Sequence, residues 1–228
     1  MANQNVFNNF LKKYSVDKGT PYTHTRIPDK ELNIFGGKYS IPEEKSNEFY
    51  KYYIQEIIQK NKLEFLTEKQ KETGPIMIDL DFRYNTDIET RQHNTSMIVD
   101  IIELYMSKIK TILNVTDEID IFVFEKDDVN CQDIVTKDGI HIVIGISADK
   151  KTKYLIRRSV LDGIGDILEG LPLINSYEDV IDKGVCLGDT NWQLYGSRKP
   201  GNDKYKLKHS YKWNSELSNM EINENDIV

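Results

Sequence analysis

Apolar residues recur along the chain with two different periods, and the period identifies the element. Val6, Phe7, Phe10, Leu11 and Tyr14 recur every three or four residues, which predicts a short helix over residues 3–14 docked by one side. The stretch DKGTPYTHTRIPDKELNIFGGKYSIP is rich in Gly and Pro and predicts a loop with short extended pieces. Ile41-Pro42 and the acids after it open the next helix, EEKSNEFYKYYIQEIIQKN, whose Phe49, Tyr53, Ile57 and Ile58 keep helical spacing. At Pro75 the period becomes two. GPIMIDLD predicts a strand with Ile76, Ile78 and Leu80 on one face and Met77, Asp79 and Asp81 on the other. A helix over about 93–113 carries Ile98, Ile101, Ile102, Tyr105, Met106 and Ile109 on one side. EIDIFVFEKD and DGIHIVIGIS predict two more strands, and a helix follows from about Lys151 to Leu168. YEDVIDKGV and WQLYG supply further short strands.

From Pro75 onward the order is strand, helix, strand, strand, helix, strand, which is the split βαβ pattern of an α+β fold. In the third strand Ile140, Ile142, Ile144 and Ile146 fill one face, so His141 lies on the other, as Asp79 and Asp81 do in the first. In such a sheet those two strands are central neighbours, each with a helix-covered face and an open face. The three polar side chains are therefore expected to meet on the open face. Two carboxylates this close repel unless one takes a proton or a cation neutralises them. DVIDKGV offers Asp179 and Asp182; only Asp182 follows an apolar pair, and a surface turn is the competing reading. Arg83 suits either the site or a cap on the sheet edge.

With 228 residues and 39% hydrophobic content, the chain can bury one large core or two small ones. No apolar run approaches the ~20 residues needed to cross a bilayer. The opening MANQNVFNNFLKKY has no signal-peptide apolar region, so a soluble intracellular protein without a membrane partner is expected. Cys131 and Cys186 are too few for a disulfide framework or a Cys-rich site, which argues for no structural zinc. The charge is unevenly spread. Asn191 to Trp213 holds six Lys or Arg against one acid, Asp203, so +5 resides here and −12 in the rest of a chain of formal net charge −7. Trp192, Tyr195, Tyr205, Tyr211 and Trp213 interleave with those cations, a mixture suited to phosphates and base faces. An amphipathic edge strand protected by its lysines has the same composition.

Taken together and in order, IMIDLD, GIHIV and VID resemble the three signature motifs of the archaeo-eukaryotic primase superfamily: Asp-x-Asp, small residue-x-His, and apolar-Asp. GPIMIDLDFRY, KDGIHIVIG and NWQLYGSRKPG, with the earlier YTHTRIP and GGKYSIP, resemble more narrowly the primase domain of the primase-helicases of nucleocytoplasmic large DNA viruses. The likeness spans about residues 20–210. It implies a primase/polymerase catalytic domain over 1–213, built from an N-terminal α/β unit (about 1–73) and a C-terminal unit like an RNA-recognition motif (74–213). Residues 214–228 then read as an acidic linker or tail.

The resemblance also implies an activity, template-directed nucleotidyl transfer by a DNA primase or primase-polymerase. Asp79, Asp81 and Asp182 become ligands of two Mg²⁺ or Mn²⁺ ions, and His141 contacts the phosphates of the incoming NTP or dNTP. Arg198 and Lys199 face the triphosphate; Arg83, directly after the acid pair, is expected to join them on its position alone. The basic composition of the segment, rather than the resemblance, makes Lys204, Lys206 and Lys208 the expected track for a single-stranded DNA template, with the region around His24 and Lys38 as the alternative surface. A helicase domain is expected downstream in the full-length chain, although no Gly-x-x-x-x-Gly-Lys-Ser/Thr occurs here. Gly139 stands where many members carry Ser, which leaves its backbone N–H to replace the hydroxyl. The aromatic signature of true RNA-recognition motifs is absent from these strands.

Two rival classes share parts of the pattern. A phosphatase of the haloacid dehalogenase type also ends a strand with Asp-x-Asp, but Arg83 stands where that family has Thr or Val. A non-catalytic module binding single-stranded nucleic acid would use the basic aromatic segment, against repulsion from the unneutralised carboxylates.

Overall fold

The N-terminal spacing resolves into α1 (Val6–Lys13), with Phe7, Phe10 and Leu11 buried. The computed structural model describes residues 6–215 and 219–223, so the first residues of the expected helix lie outside the described residues. The Gly- and Pro-rich stretch contributes three short strands, β1 (Ser15–Val16), β2 (His24–Arg26) and β3 (Gly37–Tyr39). Next, α2 (Ser46–Tyr53) runs on into a π-helical turn, Ile54–Gln59. The wider turn rotates the buried face. Glu56 and Ile57 are inside, and Ile58, expected inside, is exposed. β4 (Leu66–Glu68) follows.

The period-two segment is β5 (Thr73–Tyr84). It leads to α3 (Thr95–Ile112), capped by Asn94, whose side chain accepts a hydrogen bond from the Met97 N–H. All six residues selected by spacing are buried on this helix. β6 (Ile119–Glu125), the short β7 (Asn130–Cys131) and the long β8 (Thr136–Asp149) come next. The single helix expected from Lys151 to Leu168 is two, α4 (Lys150–Leu161) and α5 (Ile164–Leu168). The break falls at Asp162-Gly163, where glycine is a poor helix former and a Cβ would press Leu104 Cδ1 at 3.3 Å.

YEDVIDKGV is not a strand. It forms α6 (Tyr177–Val180) and α7 (Lys183–Leu187), and only Ile181 between them bridges to Leu80. Ser176 and Asp182 cap these helices, accepting from the N–H groups of Asp179 and Val185. Local capping outcompetes extended pairing here. The chain closes with β9 (Trp192–Gln193), β10 (Lys206–Asn214) and β11 (Asn219–Ile222).

These elements form two compact units. The first comprises residues 1–70 and 190–205, and the second 71–189 and 206–228. Residues 190–205, placed by sequence with the C-terminal unit, thus belong to the first. The cause is pairing. β9 adds to β4 through Thr67 and Gln193 in a sheet ordered β1-β3-β2-β4-β9. Leu194 joins the core of Phe7, Phe10, Phe49, Tyr53 and Leu66, and the Tyr53 hydroxyl donates to the Tyr195 carbonyl at 2.8 Å.

The second unit's antiparallel sheet runs β11-β10-β6-β8-β5, with β7 paired to β8. One face packs on α3 and α4: Ile78, Leu80, Val123, Ile140, Ile142 and Ile144 share a core with Ile101, Met106, Ile156 and Val160. β8 is central, but among the described residues β5 has on its outer side a single strand-type bridge, Leu80 to Ile181, and is not the central strand expected. β10 is not an edge either, because β11 covers it. Part of the expected acidic tail is therefore strand, while 216–218 and 224–228 lie outside the described residues. Among the described residues no helix is long and apolar enough to cross a membrane.

Candidate active site

Strand alternation builds the site. Along β5, Ile76, Ile78, Leu80, Phe82 and Tyr84 are buried, while Met77, Asp79, Asp81 and Arg83 are partly exposed. β8 runs antiparallel beside it with His141 opposite Asp79 and Gly139 opposite Asp81. Directly opposed residues project to the same face. His141 Nε2 lies 3.5 Å from Asp79 Oδ1, with the two side chains 10% and 27% exposed. The Asp79, Asp81 and His141 grouping read from parity is therefore present on one face of the second unit.

Arg83 supplies the counter-charge to Asp81. Its Nε and NH2 donate to Asp81 Oδ2 at 3.1 and 2.8 Å, which sets the guanidinium beside the acid pair. The same hydrogen bond holds the Arg83 pKa above its ordinary value.

The outer edge of β5 is satisfied by the segment from Ile174 to Asp182 in place of a full strand. The Ile174 N–H donates to the Arg83 carbonyl at 2.9 Å. Asn175 acts as a side-chain substitute for a strand, accepting from the Arg83 N–H at 3.1 Å and donating to the Asp81 carbonyl at 2.8 Å. The Asp182 N–H donates to the Asp79 carbonyl at 2.9 Å. Asp182 is thus tied to Asp79 through the backbone, and its Oδ1 accepts from the Val185 N–H at 2.6 Å. Asp179 instead bonds Ser176, as a turn acid does.

Among the described residues no three His, Cys, Asp or Glu side chains are gathered as a closed metal site. Asp81 is held by Arg83, Asp79 faces His141, and Asp182 caps α7. Carboxylate oxygens are the donor type a hard divalent cation takes, and Asp79 and Asp81 are partly exposed, but the Arg83 guanidinium would have to release Asp81 first. Asp79, Asp81 and Asp182 are the residues that could hold it.

The remaining expected contacts separate. Arg198, Lys199 and Lys204 belong to the first unit, Lys206 and Lys208 to the second, so the basic segment is not one strip on one body. Arg198 NH1 lies 3.8 Å from Asp203 Oδ1, and Lys204 donates to Asn61 Oδ1 at 2.9 Å. Lys206 and Lys208 both donate to Asp127, holding its carboxyl down at about 2. His24 is removed from the nucleic-acid candidates because it is 5% exposed with its ring 4.6 Å from that of Phe49. Burial pushes its pKa down to about 4. Lys38 stays partly exposed, its Nζ 4.6 Å from the Tyr22 ring centre. The Gly139 N–H donates to Asp138 Oδ1 at 2.9 Å and is not free to replace a serine hydroxyl.

Sequence reading missed Asn175 and a buried ionic cluster behind Gly139. In that cluster His93 Nε2 is 2.7 Å from Glu125 Oε1, and Arg91 donates to both oxygens of Asp138. Neither has a local signal, since Asn175 and residues 91–93 lie in polar loops whose partners are distant in the chain.

In this antiparallel sheet an acid pair lies opposite a histidine, and a third acid is tied to the first through its backbone. Residues 28–211 match the family described as "C962R protein N-terminal AEP domain", and the chain belongs to this archaeo-eukaryotic primase superfamily. It is 33% identical over 211 residues to the "Putative helicase L207/L206" of Acanthamoeba polyphaga mimivirus, covering 89% of this chain and 21% of that protein. The chain therefore spans about a fifth of the length of that relative. Membership of the superfamily points to a primase-like function.

Proposed function

We propose that this chain is a DNA primase or primase-polymerase that makes or extends primers on single-stranded DNA by template-directed nucleotidyl transfer. The observation that carries it is the placement of Asp79, Asp81 and His141 on one face, with the Asp182 N–H bonded to the Asp79 carbonyl. The strand order β6-β8-β5, with α3 and α4 on one face, supports reading the second unit as like an RNA-recognition motif, its fourth strand shrunk to the Ile181 bridge.

Asp79, Asp81 and Asp182 would hold two Mg²⁺ or Mn²⁺ ions, which would supply positive charge for the 3'-oxygen as it loses its proton and for the leaving pyrophosphate. His141 donates from its ring nitrogen to a phosphate oxygen and so keeps the nucleotide in line. Arg83 is half-exposed and lies next to the acids, where its fork matches a triphosphate once Asp81 takes another partner. Arg198 and Lys199 are the further candidates for the triphosphate, and Lys38, Lys204, Lys206 and Lys208 for the template. The name of the mimivirus relative supports a helicase acting alongside this module.

Incubation with single-stranded DNA, labelled nucleotides and Mg²⁺ or Mn²⁺, with and without a primer, tests the reading. Labelled oligomers that require Asp79 are expected. Phosphate release from nucleotide without polymer would favour the phosphatase class, and DNA binding without either product the non-catalytic module.

A further inference from the structure

Arg157, on α4, is 1% exposed. A guanidinium so far from water needs partners for its donors. Nε and NH2 donate to the Ile181 carbonyl at 2.9 and 2.7 Å, NH2 also to the Glu178 carbonyl at 2.7 Å, and NH1 to Glu178 Oε1 at 2.9 Å. Two of these acceptors are carbonyls at the end of the four-residue helix α6, where intrahelical partners run out. These bonds satisfy the end of α6.

The Ile181 carbonyl, however, belongs to the same peptide plane as the Asp182 N–H. That plane is clamped at both ends. Arg157 takes its oxygen with two donors, and the Asp79 carbonyl accepts from its nitrogen at 2.9 Å. Hydrogen bonds at opposite ends of one peptide polarise each other and strengthen together. The Asp182 backbone is thereby fixed against the strand that carries Asp79 and Asp81.

We propose that Arg157 is a positioning residue for Asp182: by clamping the Ile181–Asp182 peptide it sets the third carboxylate against Asp79 for a divalent cation. The proposal rests on the reading of Asp79, Asp81 and Asp182 as cation ligands. A lysine at 157 keeps the charge but cannot reproduce the planar fork.

The test compares the full wild-type chain with Arg157→Lys, Asp79→Ala and Glu178→Gln, the last replacing the half-exposed carboxylate partner of NH1 with a neutral amide. The first readout is amide hydrogen exchange in the metal-free protein, well below its melting temperature. In Arg157→Lys the Asp182 amide should exchange at least about tenfold faster while Ile142 in β8, a reporter of global opening, keeps its rate. The second readout is Mn²⁺ affinity from the free-ion EPR signal. It should fall about tenfold in Arg157→Lys, as for other residues that orient a ligand, and stay near wild type in Glu178→Gln. Primer extension by Arg157→Lys should recover as Mn²⁺ is raised, with an unchanged KM for nucleotide. Exchange that rises equally at Asp182 and Ile142, or an unchanged Mn²⁺ affinity, would overturn the positioning role and leave Arg157 a structural residue. A wild-type chain that does not bind Mn²⁺ through Asp79 overturns the reading of the site, and the proposal with it.

Discussion

At the scale of single residues, the acids and the histidine separate activity from stability. Asp81 and Arg83 form a partly exposed ion pair, and such pairs contribute about 1 kcal/mol or less. Asp79→Ala and Asp81→Ala are therefore expected to abolish synthesis while shifting the melting temperature little. A variant that polymerises near the wild-type rate would remove that acid from the cation set. His141→Ala should retain Mn²⁺ affinity and lose turnover by about a hundredfold, as loss of one positioned donor does. A collapse in melting temperature without a specific nucleotide effect would make His141 structural. His24 makes a different kind of prediction. Its folded pKa of about 4 lies below the ordinary value of 6.5, with burial outweighing Glu68 at 3.9 Å. The stability tied to the neutral ring is complete above pH 6.5 and drains away as pH falls towards 4, by roughly 3 kcal/mol at most. His24→Phe should flatten that acid limb in a melting series.

At the scale of elements, a close approach in the first unit exposes a dependence that no periodicity reveals. Gly196 has φ +89, and a Cβ there would meet Ile58 Cδ1 at 2.6 Å on the π-helical turn. Gly196→Ala should destabilise this unit by about 1–3 kcal/mol, read as a lower denaturation midpoint. The turn that exposes Ile58 to water on one side brings it against Gly196 on the other. The six buried positions of α3 were legible because helical spacing is a local property of the chain. The fate of YEDVIDKGV was not, because whether it pairs or caps depends on what Arg157 and β5 offer from elsewhere.

At the scale of the whole molecule, the basic aromatic segment belongs to two bodies, and its tests divide accordingly. Replacing Arg198 and Lys199 together with Ala is expected to raise the KM for nucleotide more than it weakens single-stranded DNA binding. Lys206 and Lys208 already share Asp127. Their joint replacement should therefore flatten the salt dependence of DNA binding by less than the ~0.7 per lost single-strand phosphate contact. Asp127→Asn should steepen it by removing the carboxylate that both lysines share. An unchanged slope in Asp127→Asn would confine those lysines to a structural role in the sheet.

Alternation along β5 and β8 determined which face carries Asp79, Asp81 and His141, because the pleat of a strand sends neighbours to opposite sides whatever surrounds it. The three motifs, in order, likewise carried the family without any coordinates. Tertiary structure alone decided that residues 190–205 fold with the first unit and that His24 is buried. It alone brought Asn175 to Asp81, 94 residues away in the chain, and closed the peptide before Asp182 between Arg157 and Asp79. Such partners are chosen by which surfaces meet when distant segments pack, and no window of sequence holds both sides of that choice.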